Sequence, residues 1–515
     1  MKRYLLGIDI GGTGAKAGVY TLDGELVGSG YGEYRMISTV PGQAEHDAEA
    51  WWRESVKAIR NAIQGVRPEE IVAVGVSCTN GMIAVDRQAR PLLSAVMLWD
   101  QRCLPEVERA GRLLGPEEVF RVAGNPMAPG AYSLPTMLWL KHSRPEVFQA
   151  AHSLMVPGGY LVARLTGEFT IDHTRACTTL LFDIVEKRWH EPFLEKLGIP
   201  EEKLPRPLAP NEVAGGITPE VADLTGLKVG TPVLAGCMDS IAASLGSGVM
   251  EPGDCFVIMG TAVRVCSPLG EPRFDRRFMN CTHVLPNRWL AIGAMNGAGS
   301  SLRWVRDAFG QMERQVADLT GRNVYDLLTA EAASAPPGSK GLVFLPYVSG
   351  ERTPIWNPYA RGVFLGVTLG HNRHDFLRSV LEGAAFSIRH GVEILEASGV
   401  SIQEVRIGGA AATSEVWNQI IADVLGKPVV NLVGEHTEVL GAAMLAGVAV
   451  GAHPDYPTAI RRMVRTKERF EPDPRAHAAY DQLFPIYKEL YPDVKPYMER
   501  LSHLDLPQVW VTKLR

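Results

Sequence analysis

The sequence predicts an α/β protein built from two related lobes. Short apolar strands alternate with amphipathic helices, as where the buried strand Ile71–Ser77 follows a helix that starts near Asp47. The chain opens with a strand, a glycine turn and a strand, and the same unit recurs as C-F-V-I-M-G-T-A-V-R-V-C-S at 255–267. At 515 residues, the chain is also too long for one hydrophobic core. Because the unit occurs only twice, the alternative to two related lobes is that the two segments resemble each other by chance.

The first glycine turn has the composition of a phosphate-binding loop. Apolar strands flank the Gly11–Gly14 turn, and the second strand ends at an Asp-Gly pair typical of a hairpin. Glycines let backbone N–H groups approach an anion, and Thr13 and Lys16 add a hydroxyl and a cation beside them. Asp9, at the end of the first strand, is placed to reach a metal ion carried by that anion.

Other interpretations of this turn stay open. Gly12, Gly14 and Ala17 fit the loose G-x-G-x-x-A dinucleotide pattern, which requires a helix directly after the glycines, whereas 17–22 is predicted to be a strand. The Walker A spacing is absent. A structural turn without a ligand is the third possibility, with Lys16 a solvated strand lysine and Asp9 a turn residue.

Bulk properties exclude several classes of partner. The 52 basic and 57 acidic residues give a net charge of −5, so no basic excess points to nucleic acid or to an anionic membrane. Seven widely spaced cysteines without a C-x-x-C motif favour buried thiols in a reducing cytosol over disulfides or a zinc site. No secretory signal follows Met1, and the apolar run 439–452 is shorter than the ~20 residues of a membrane span, so it predicts a buried helix. We therefore expect a cytoplasmic protein.

Further elements are predicted from hydrophobic spacing. A long helix covers 374–396, an amphipathic helix covers 415–425, and the charged, aromatic stretch 461–515 predicts a surface-packed helical tail. Trp51, Trp52 and Trp139 are expected in the core.

Two groups of polar residues stand where strands or apolar stretches end. Asp239 follows a strand at 232–237 and begins a small-residue helix, so it is either a general base or a helix N-cap. Asp100 and Arg102 either hydrogen-bond a substrate's hydroxyl groups or form a structural ion pair. Trp99 either stacks on a substrate or belongs to the core.

Taken in order, these segments resemble the FGGY carbohydrate kinases, and most closely the xylulokinase-like branch. The segments are G-I-D-I-G-G-T-G-A-K at 7–16, L-W-D-Q-R at 98–102, Y-L-V-A-R-L-T-G-E-F-T at 160–170, A-G-C-M-D-S at 235–240, I-M-G-T at 258–261, G-A-G-S-S-L-R-W at 297–304, L-E-G-A-A-F-S-I-R at 381–389 and G-G-A-A-A-T-S-E-V-W at 408–417. Their order along nearly the whole chain carries the likeness, because no single motif is decisive.

The resemblance implies two actin-like (ribonuclease-H-like) ATPase lobes with a nucleotide and sugar cleft between them. Residues 1–249 would form the N-terminal lobe with the sugar site and first phosphate loop, and residues 250–515 the nucleotide-binding C-terminal lobe. The implied reaction transfers the γ-phosphate of ATP, with Mg²⁺, to a hydroxyl of a small ketose, nominally D-xylulose. Ribulose, L-xylulose, erythritol and glycerol are alternative substrates, and a non-catalytic actin-like nucleotide-binding module is an alternative of another class. The family also suggests a homodimer.

The resemblance assigns roles by position. Asp239 matches the catalytic base, and Asp9 is assigned to Mg²⁺ from its strand-end position. The nucleotide is expected to contact Gly12, Thr13, Lys16, Gly260, Thr261, Gly299, Gly408, Gly409, Ala410 and Ser414. The sugar is expected to contact Thr79, Asn80, Gly81, Trp99, Asp100, Arg102, Tyr132, Asp239 and Ser240.

One departure from the family pattern concerns the sugar. Xylulokinases usually carry a Gln-Met-His-Gly loop, and here the segment is C-T-N-G at 78–81, one residue shorter and without histidine. The Arg-Glu pair of glycerol kinases is also missing. The identity of the sugar therefore stays open.

Overall fold

The computed structural model describes residues 3–40, 42–127, 132–434 and 436–504. The chain divides into two compact units. The first unit comprises residues 1–256, 266–292 and 432–467, and the second comprises 257–265, 293–431 and 468–515.

The strands are as follows, in chain order: β1 (Tyr4–Ile10), β2 (Gly14–Thr21), β3 (Leu26–Glu33), β4 (Met36–Ile37), β5 (Glu45–His46), β6 (Ile71–Cys78), β7 (Gly81–Val85), β8 (Ala95–Met97), β9 (Ser153–Met155), β10 (Thr170–Asp172), β11 (Phe182–Asp183), β12 (Arg188–Trp189), β13 (Arg206–Leu208), β14 (Val213–Gly216), β15 (Pro232–Leu234), β16 (Cys237–Met238), β17 (Asp254–Met259), β18 (Val263–Leu269), β19 (Met279–Thr282), β20 (Trp289–Met295), β21 (Val343–Leu345), β22 (Val363–Leu365), β23 (Glu404–Gly408), β24 (Val429–Leu432) and β25 (Thr466–Phe470).

The α-helices are α1 (Ala48–Ala62), α2 (Leu104–Leu114), α3 (Pro116–Ala123), α4 (Leu134–Ser143), α5 (Pro145–Ala150), α6 (Pro157–Thr166), α7 (His173–Ala176), α8 (Glu191–Leu197), α9 (Pro219–Thr225), α10 (Asp239–Gly246), α11 (Ala298–Phe309), α12 (Gln311–Thr320), α13 (Val324–Ala332), α14 (Arg373–Ala397), α15 (Glu415–Leu425), α16 (Thr437–Ala449), α17 (Tyr456–Met463) and α18 (Pro474–Ser502). Short 3₁₀ helices cover Pro68–Glu70, Cys177–Thr179, Glu201–Lys203, Ser339–Gly341 and Ala410–Thr413.

The first unit is organised on a seven-stranded sheet in which β1 is central. The order is β14-β15-β6-β1-β2-β3, and β16 also pairs with β6. β1 is buried along its whole length, runs antiparallel to β2 and runs parallel to β6. This arrangement confirms the predicted opening hairpin and explains its apolar composition, because both faces of β1 are covered.

Helix α16 lies directly on this sheet. A Cβ atom at Gly7 of β1 would lie 2.0 Å from the Val439 carbonyl oxygen, and one at Gly75 of β6 would lie 1.9 Å from that of Ala442. Only glycine permits so close an approach of helix and strand backbones. The prediction of a buried helix in the run 439–452 is confirmed, with the helix at Thr437–Ala449.

A second seven-stranded sheet has the order β19-β20-β18-β17-β23-β24-β25. In the second unit, α14 begins with a capping box in which the Asn372 side chain caps the helix and Asp375 accepts from the Asn372 N–H. The Trp417 indole of α15 donates to the Leu381 carbonyl of α14 at 3.1 Å, which fixes these two buried helices together. Both predicted helices are confirmed.

The C-terminal region and one tryptophan differ from the prediction. Residues 466–470 form strand β25 at a sheet edge, because Thr-Lys-Glu-Arg-Phe alternates in a way that suits an edge strand as well as a helix. Helix α18 is anchored by the fully buried Tyr480 and Tyr487. Trp139 is half-buried rather than in the core, with the Arg102 guanidinium 5.0 Å from its ring centre.

The prediction of buried thiols is confirmed, since all seven cysteine side chains are buried and free. Across the part of the chain that the structure describes, no helix is both long and apolar enough to cross a membrane.

Candidate active site

Asp9 lies at the carboxyl end of β1 between two polar neighbours supplied by the adjacent strands. The sheet register pairs Asp9 with Lys16 of β2 and with Ser77 of β6. The Ser77 hydroxyl donates to Oδ1 at 2.6 Å, and the Lys16 ammonium lies 3.9 Å from Oδ2. Burial raises the pKa of Asp9 to about 6, although the Lys16 charge lowers it. Bringing a cation to Oδ2 would offset the cost of that buried charge.

The glycine turn after Asp9 is held from outside by aromatic side chains. The Gly11 N–H donates to the Gly14 carbonyl at 3.0 Å, and the Tyr34 hydroxyl donates to the Gly11 carbonyl at 2.6 Å. A Cβ atom at Gly12 would lie 2.9 Å from the Trp99 ring, so that ring closes directly over the turn. Trp99 is 46% exposed, which rules out the core alternative. Thr13 is exposed at the tip of the turn.

Asp239 stands at the same edge of the sheet as Asp9. β16 runs parallel to β6 with Cys237 opposite Ser77, and β6 runs parallel to β1 with Ser77 opposite Asp9. Strands two positions apart are separated by roughly 10 Å, so the two carboxylates extend from one edge of the sheet. The N-cap alternative for Asp239 is wrong, since α10 has Met238 as its N-cap and Asp239 as its first helical residue.

The carboxylate of Asp239 has identifiable partners. Oδ1 accepts the N–H of Ser240 at 2.8 Å and lies 3.2 Å from a guanidinium nitrogen of Arg175. Arg175 is only 2% exposed and also donates to the carbonyl of Cys78. The sequence reasoning missed Arg175, because a single arginine in T-R-A-C-T-T carries no motif. The one available signal was a cation in an otherwise small and apolar stretch.

Four of the residues predicted to hold the sugar line one small cavity: Asn80, Gly81, Asp100 and Tyr132. The Tyr132 hydroxyl donates to the Asn125 amide oxygen at 3.2 Å. Thr79, next to them, is buried, and its N–H donates to the Ile10 carbonyl at 2.8 Å. The C-T-N-G segment is thereby fastened to the end of β1.

Asp100 and Arg102 form the ion pair of the structural alternative. The guanidinium makes bidentate contacts of 2.9 and 2.8 Å to Asp100 and a third contact of 2.6 Å to Glu45. Asp100 Oδ2 also accepts the Ala44 N–H at 2.7 Å. Direct sugar contact by either residue stays a prediction, while Asp100 forms part of the cavity wall in the structure.

The second predicted phosphate turn, between β17 and β18, packs against the start of α11. The Gly260 N–H donates to the Ala262 carbonyl at 3.1 Å, and the Ser300 N–H donates to the Thr261 carbonyl at 2.9 Å. A Cβ atom at Gly299 would lie 1.8 Å from the Gly260 oxygen. Arg303 donates to the Thr261 hydroxyl at 2.8 Å. The turn and the helix therefore form one rigid feature.

The loop after β23 packs against the end of β17 in the second unit. Gly408 ends the strand, and Gly409 has a φ of +93° with room for no Cβ atom, since the Met259 carbonyl would lie 2.6 Å away. Ala410 opens a 3₁₀ turn whose Ala412 carbonyl accepts two asparagine amides at 2.7 and 2.9 Å. Ser414 caps α15 by accepting the Trp417 N–H, so this hydroxyl is engaged by the helix.

Residues 4–246 match the N-terminal domain of the FGGY family of carbohydrate kinases, and residues 255–450 match its C-terminal domain. The chain belongs to the FGGY family of carbohydrate kinases. The predicted family is thus confirmed, and with it a phosphotransferase.

Full-length relatives agree with this family but differ in substrate. The chain is 30% identical over 499 residues to xylulose kinase of Escherichia coli (strain K12), covering 96% of this chain and 99% of that protein. It is 28% identical over 493 residues to gluconokinase of Bacillus subtilis (strain 168), covering 95% and 96%. The crystal structure of ligand-bound xylulose kinase from Lactobacillus acidophilus superposes with a TM-score of 0.89 at 26% identity, covering 97% of this chain and all of that one. The prediction of the two-domain α/β, actin-like ATPase fold is confirmed.

Proposed function

We propose that this kinase transfers the γ-phosphate of ATP to a hydroxyl of a small ketose, nominally D-xylulose, with Asp239 as the general base. The observation that carries the proposal is the position of Asp239 at the strand-end edge where Asp9 and the C-T-N-G segment also end. A base must lie within hydrogen-bond reach of the hydroxyl that it deprotonates. General-base catalysis of this kind typically contributes about 10²- to 10⁴-fold to the rate.

The phosphate groups are assigned to the glycine turns. Gly12, Thr13 and Lys16 are proposed to hold them in the first unit, with Gly260 and Thr261 of the second unit also contacting the nucleotide. The nucleotide is also proposed to contact Gly299, Gly408, Gly409, Ala410 and Ser414. We also propose that residues 1–249 bind the sugar and contribute the first phosphate turn, and that residues 250–515 bind the nucleotide.

Asp9 suits a hydrated Mg²⁺ ion. The described contact of Asp9 Oδ2 is the Lys16 ammonium, which is 3.9 Å away. Gly11 has no side chain to fill the space beside this oxygen, since a Cβ atom there would lie 3.6 Å from it. Within the described ranges, no group of three or more histidine, cysteine or acidic side chains is positioned to hold a metal ion. One carboxylate plus substrate phosphates is the arrangement that Mg²⁺ commonly accepts. When bound, the ion would neutralise charge on the phosphates.

The sugar is proposed to bind against the residues that line the small cavity, Asn80, Gly81, Asp100 and Tyr132. Thr79, Trp99, Arg102 and Ser240 complete the proposed sugar site. Ribulose, L-xylulose, erythritol and glycerol are the alternatives, and the gluconokinase relative adds gluconate. A buried polar site rejects an analogue that lacks one expected hydroxyl by several orders of magnitude, so a substrate panel separates these candidates.

The test is ADP release by the purified protein with MgATP across pentuloses, aldoses, polyols and gluconate. We expect one compound to raise turnover well above the rate without sugar, and Asp239→Asn to lower that turnover about 10²- to 10⁴-fold. Asp326→Asn is the matched control, since it alters an exposed first-turn aspartate of α13. No stimulation by any compound, or an unimpaired Asp239→Asn enzyme, would overturn the proposal.

A homodimer is proposed from family likeness alone. Light scattering coupled to gel filtration tests it, and a monomer at micromolar concentration would refute it.

A further inference from the structure

We infer that the segment Asp172–Thr178, called here the support turn, is a positioning element. It holds the proposed catalytic base, Asp239, and the C-T-N-G segment 78–81, called here the sugar loop, at a fixed distance from each other. The inference rests on the proposed function of Asp239. The support turn comprises the end of β10, helix α7 and the start of the following 3₁₀ helix. It contributes no atom to the proposed reaction, yet it contacts both parts of the site.

Arg175 joins the two parts directly. Its buried guanidinium lies 3.2 Å from Asp239 Oδ1 and donates to the carbonyl of Cys78, the residue that precedes Thr79. One planar, permanently charged group thereby fixes the distance between the base and the sugar loop. Arginine suits this task, because its rigid fork of donors holds two acceptors at a defined separation.

Thr174 fixes the backbone next to the base. Its hydroxyl oxygen accepts the N–H of Met238 at 2.7 Å and donates its own proton to Asp172. Thr174 is fully buried, so its loss would leave the Met238 N–H without this acceptor. A buried donor left without an acceptor is costly, so the start of α10 would have to shift to find another partner.

Thr178 extends the contact to the sugar loop. Its hydroxyl lies 3.5 Å from the Asn80 amide oxygen and donates to the Arg175 carbonyl at 2.8 Å. The support turn therefore reaches Asn80 of the cavity, Cys78 at the base of the loop and Met238-Asp239 at the start of α10. A structural role confined to the core would not require contacts to all three.

The charge of Arg175 distinguishes a positioning role of this residue from a role in core packing alone. The charged and titratable groups that act on Arg175 or Asp239 include Asp9, Cys78, Asp172, Cys237 and Cys281, and Arg175 is a cation in direct contact with Asp239. An adjacent cation favours the ionised form of a carboxylate. The loss of this cation should therefore change the pH at which the enzyme loses activity, which the loss of packing alone would not do.

The kinetic test compares Arg175→Met with Arg175→Lys. We expect the acid limb of the kcat profile to move up by about 1–3 pH units in Arg175→Met and to stay closer to the wild-type position in Arg175→Lys. The KM for ATP should be unchanged in both. Arg462→Met is the matched control, since Arg462 makes an exposed ion pair with Asp23. An unshifted acid limb in a folded Arg175→Met enzyme would overturn the inference.

A second pair of variants covers the case in which Arg175→Met does not fold. Thr174→Ser keeps the hydroxyl and Thr174→Val removes it at nearly the same volume. We expect Thr174→Val to lower kcat at least tenfold, with Thr174→Ser within about twofold of wild type. Equal activity of the two variants would contradict the inference.

Hydrogen–deuterium exchange provides a readout that needs no substrate. Peptides covering 77–82 and 236–241 should both exchange faster in Arg175→Met and in Thr174→Val, while peptides of α14 should not change. If the wild-type enzyme phosphorylates no sugar, the proposed function fails although the exchange result can still hold. If Asp239→Asn is inactive while neither exchange nor the pH profile responds to Arg175 and Thr174, the inference alone fails.

Discussion

Gly299→Ala is expected to displace the second predicted phosphate turn, between β17 and β18, without unfolding the protein. The added Cβ atom would lie 1.8 Å from the Gly260 carbonyl oxygen and 2.9 Å from its carbon. Ordinary van der Waals contact begins at 3.4 Å, so the helix and the turn must separate by about 1.6 Å. The atom that obstructs the new methyl group belongs to the backbone, and no flexible side chain can move aside for it.

The separation cannot be absorbed locally. The Ser300 N–H donates to the Thr261 carbonyl at 2.9 Å, and Arg303 donates to the Thr261 hydroxyl at 2.8 Å. Moving α11 away would break these contacts, and keeping them would push the turn out of place. A misplacement of about 1 Å at a reacting group can cost about 10²-fold in rate. We therefore expect kcat/KM for ATP to fall about 100-fold.

The assay measures kcat and the KM for MgATP with a saturating sugar, together with ADP affinity by calorimetry and the thermal midpoint. Gly111→Ala is the control, because Gly111 is also helical but has nothing within 4 Å of the new Cβ atom. That control should keep full activity and gain up to about 1 kcal/mol from helix propensity. A folded Gly299→Ala enzyme with wild-type ADP affinity and kcat/KM would refute the reasoning, since the close approach would then have no bearing on nucleotide binding.

Three further perturbations have expected outcomes. Burial raises the pKa of Glu351 to about 7 from an ordinary value of 4.5, so the folded state binds this proton more tightly than the unfolded state does. The free energy of unfolding of the wild type should therefore fall relative to Glu351→Gln, on the order of 3 kcal/mol in total, as pH rises from 4.5 to 7, and a pH-independent difference in urea titrations would contradict this. Gly441→Ala would place a Cβ atom 1.7 Å from the Ala242 carbonyl oxygen and should lower the free energy of unfolding by about 1–3 kcal/mol, so an unchanged urea midpoint would count against the close helix contact. Trp99→Ala should raise the KM for the sugar several-fold, because Trp99 belongs to the proposed sugar site, and the KM for MgATP as well, because the ring covers Gly12; a rise in the KM for MgATP alone would show that the ring serves the nucleotide and not the sugar.

The elements predicted correctly are those whose signals lie close together in the sequence. The opening hairpin follows from glycines and an Asp-Gly pair within 24 residues, and α1 begins where its capping residue Asp47 indicates. Helix α15 occupies the predicted range 415–425 because its apolar spacing and its Ser414 cap agree. In each case propensity, capping and burial favour the same local structure.

The features that were missed depend on partners distant in sequence. Arg175 acquires its partners through contacts to Cys78 and Asp239, 97 and 64 residues away, and no local pattern indicates a buried cation. The strand Thr466–Phe470 was predicted as helix because charged residues suit both a helix surface and a sheet edge. The ion pair of Arg102 with Asp100 was foreseen as an alternative, but its third partner, Glu45, was not.

The two acidic residues at the edge of the first sheet differ in the cation that accompanies each one. Asp9 is buried and faces a half-buried lysine 3.9 Å away, and its pKa is raised to about 6 because burial outweighs the Lys16 charge and the Ser77 hydrogen bond. Asp239 contacts a buried arginine, which stays protonated at any working pH. A permanent cation would weaken a base that had to remove a proton before phosphoryl transfer began. In a loose transition state the hydroxyl loses its proton late, and orientation contributes more than basicity. The pairing of Asp239 with Arg175 is therefore consistent with a base whose main task is to hold the sugar hydroxyl in line with the phosphate.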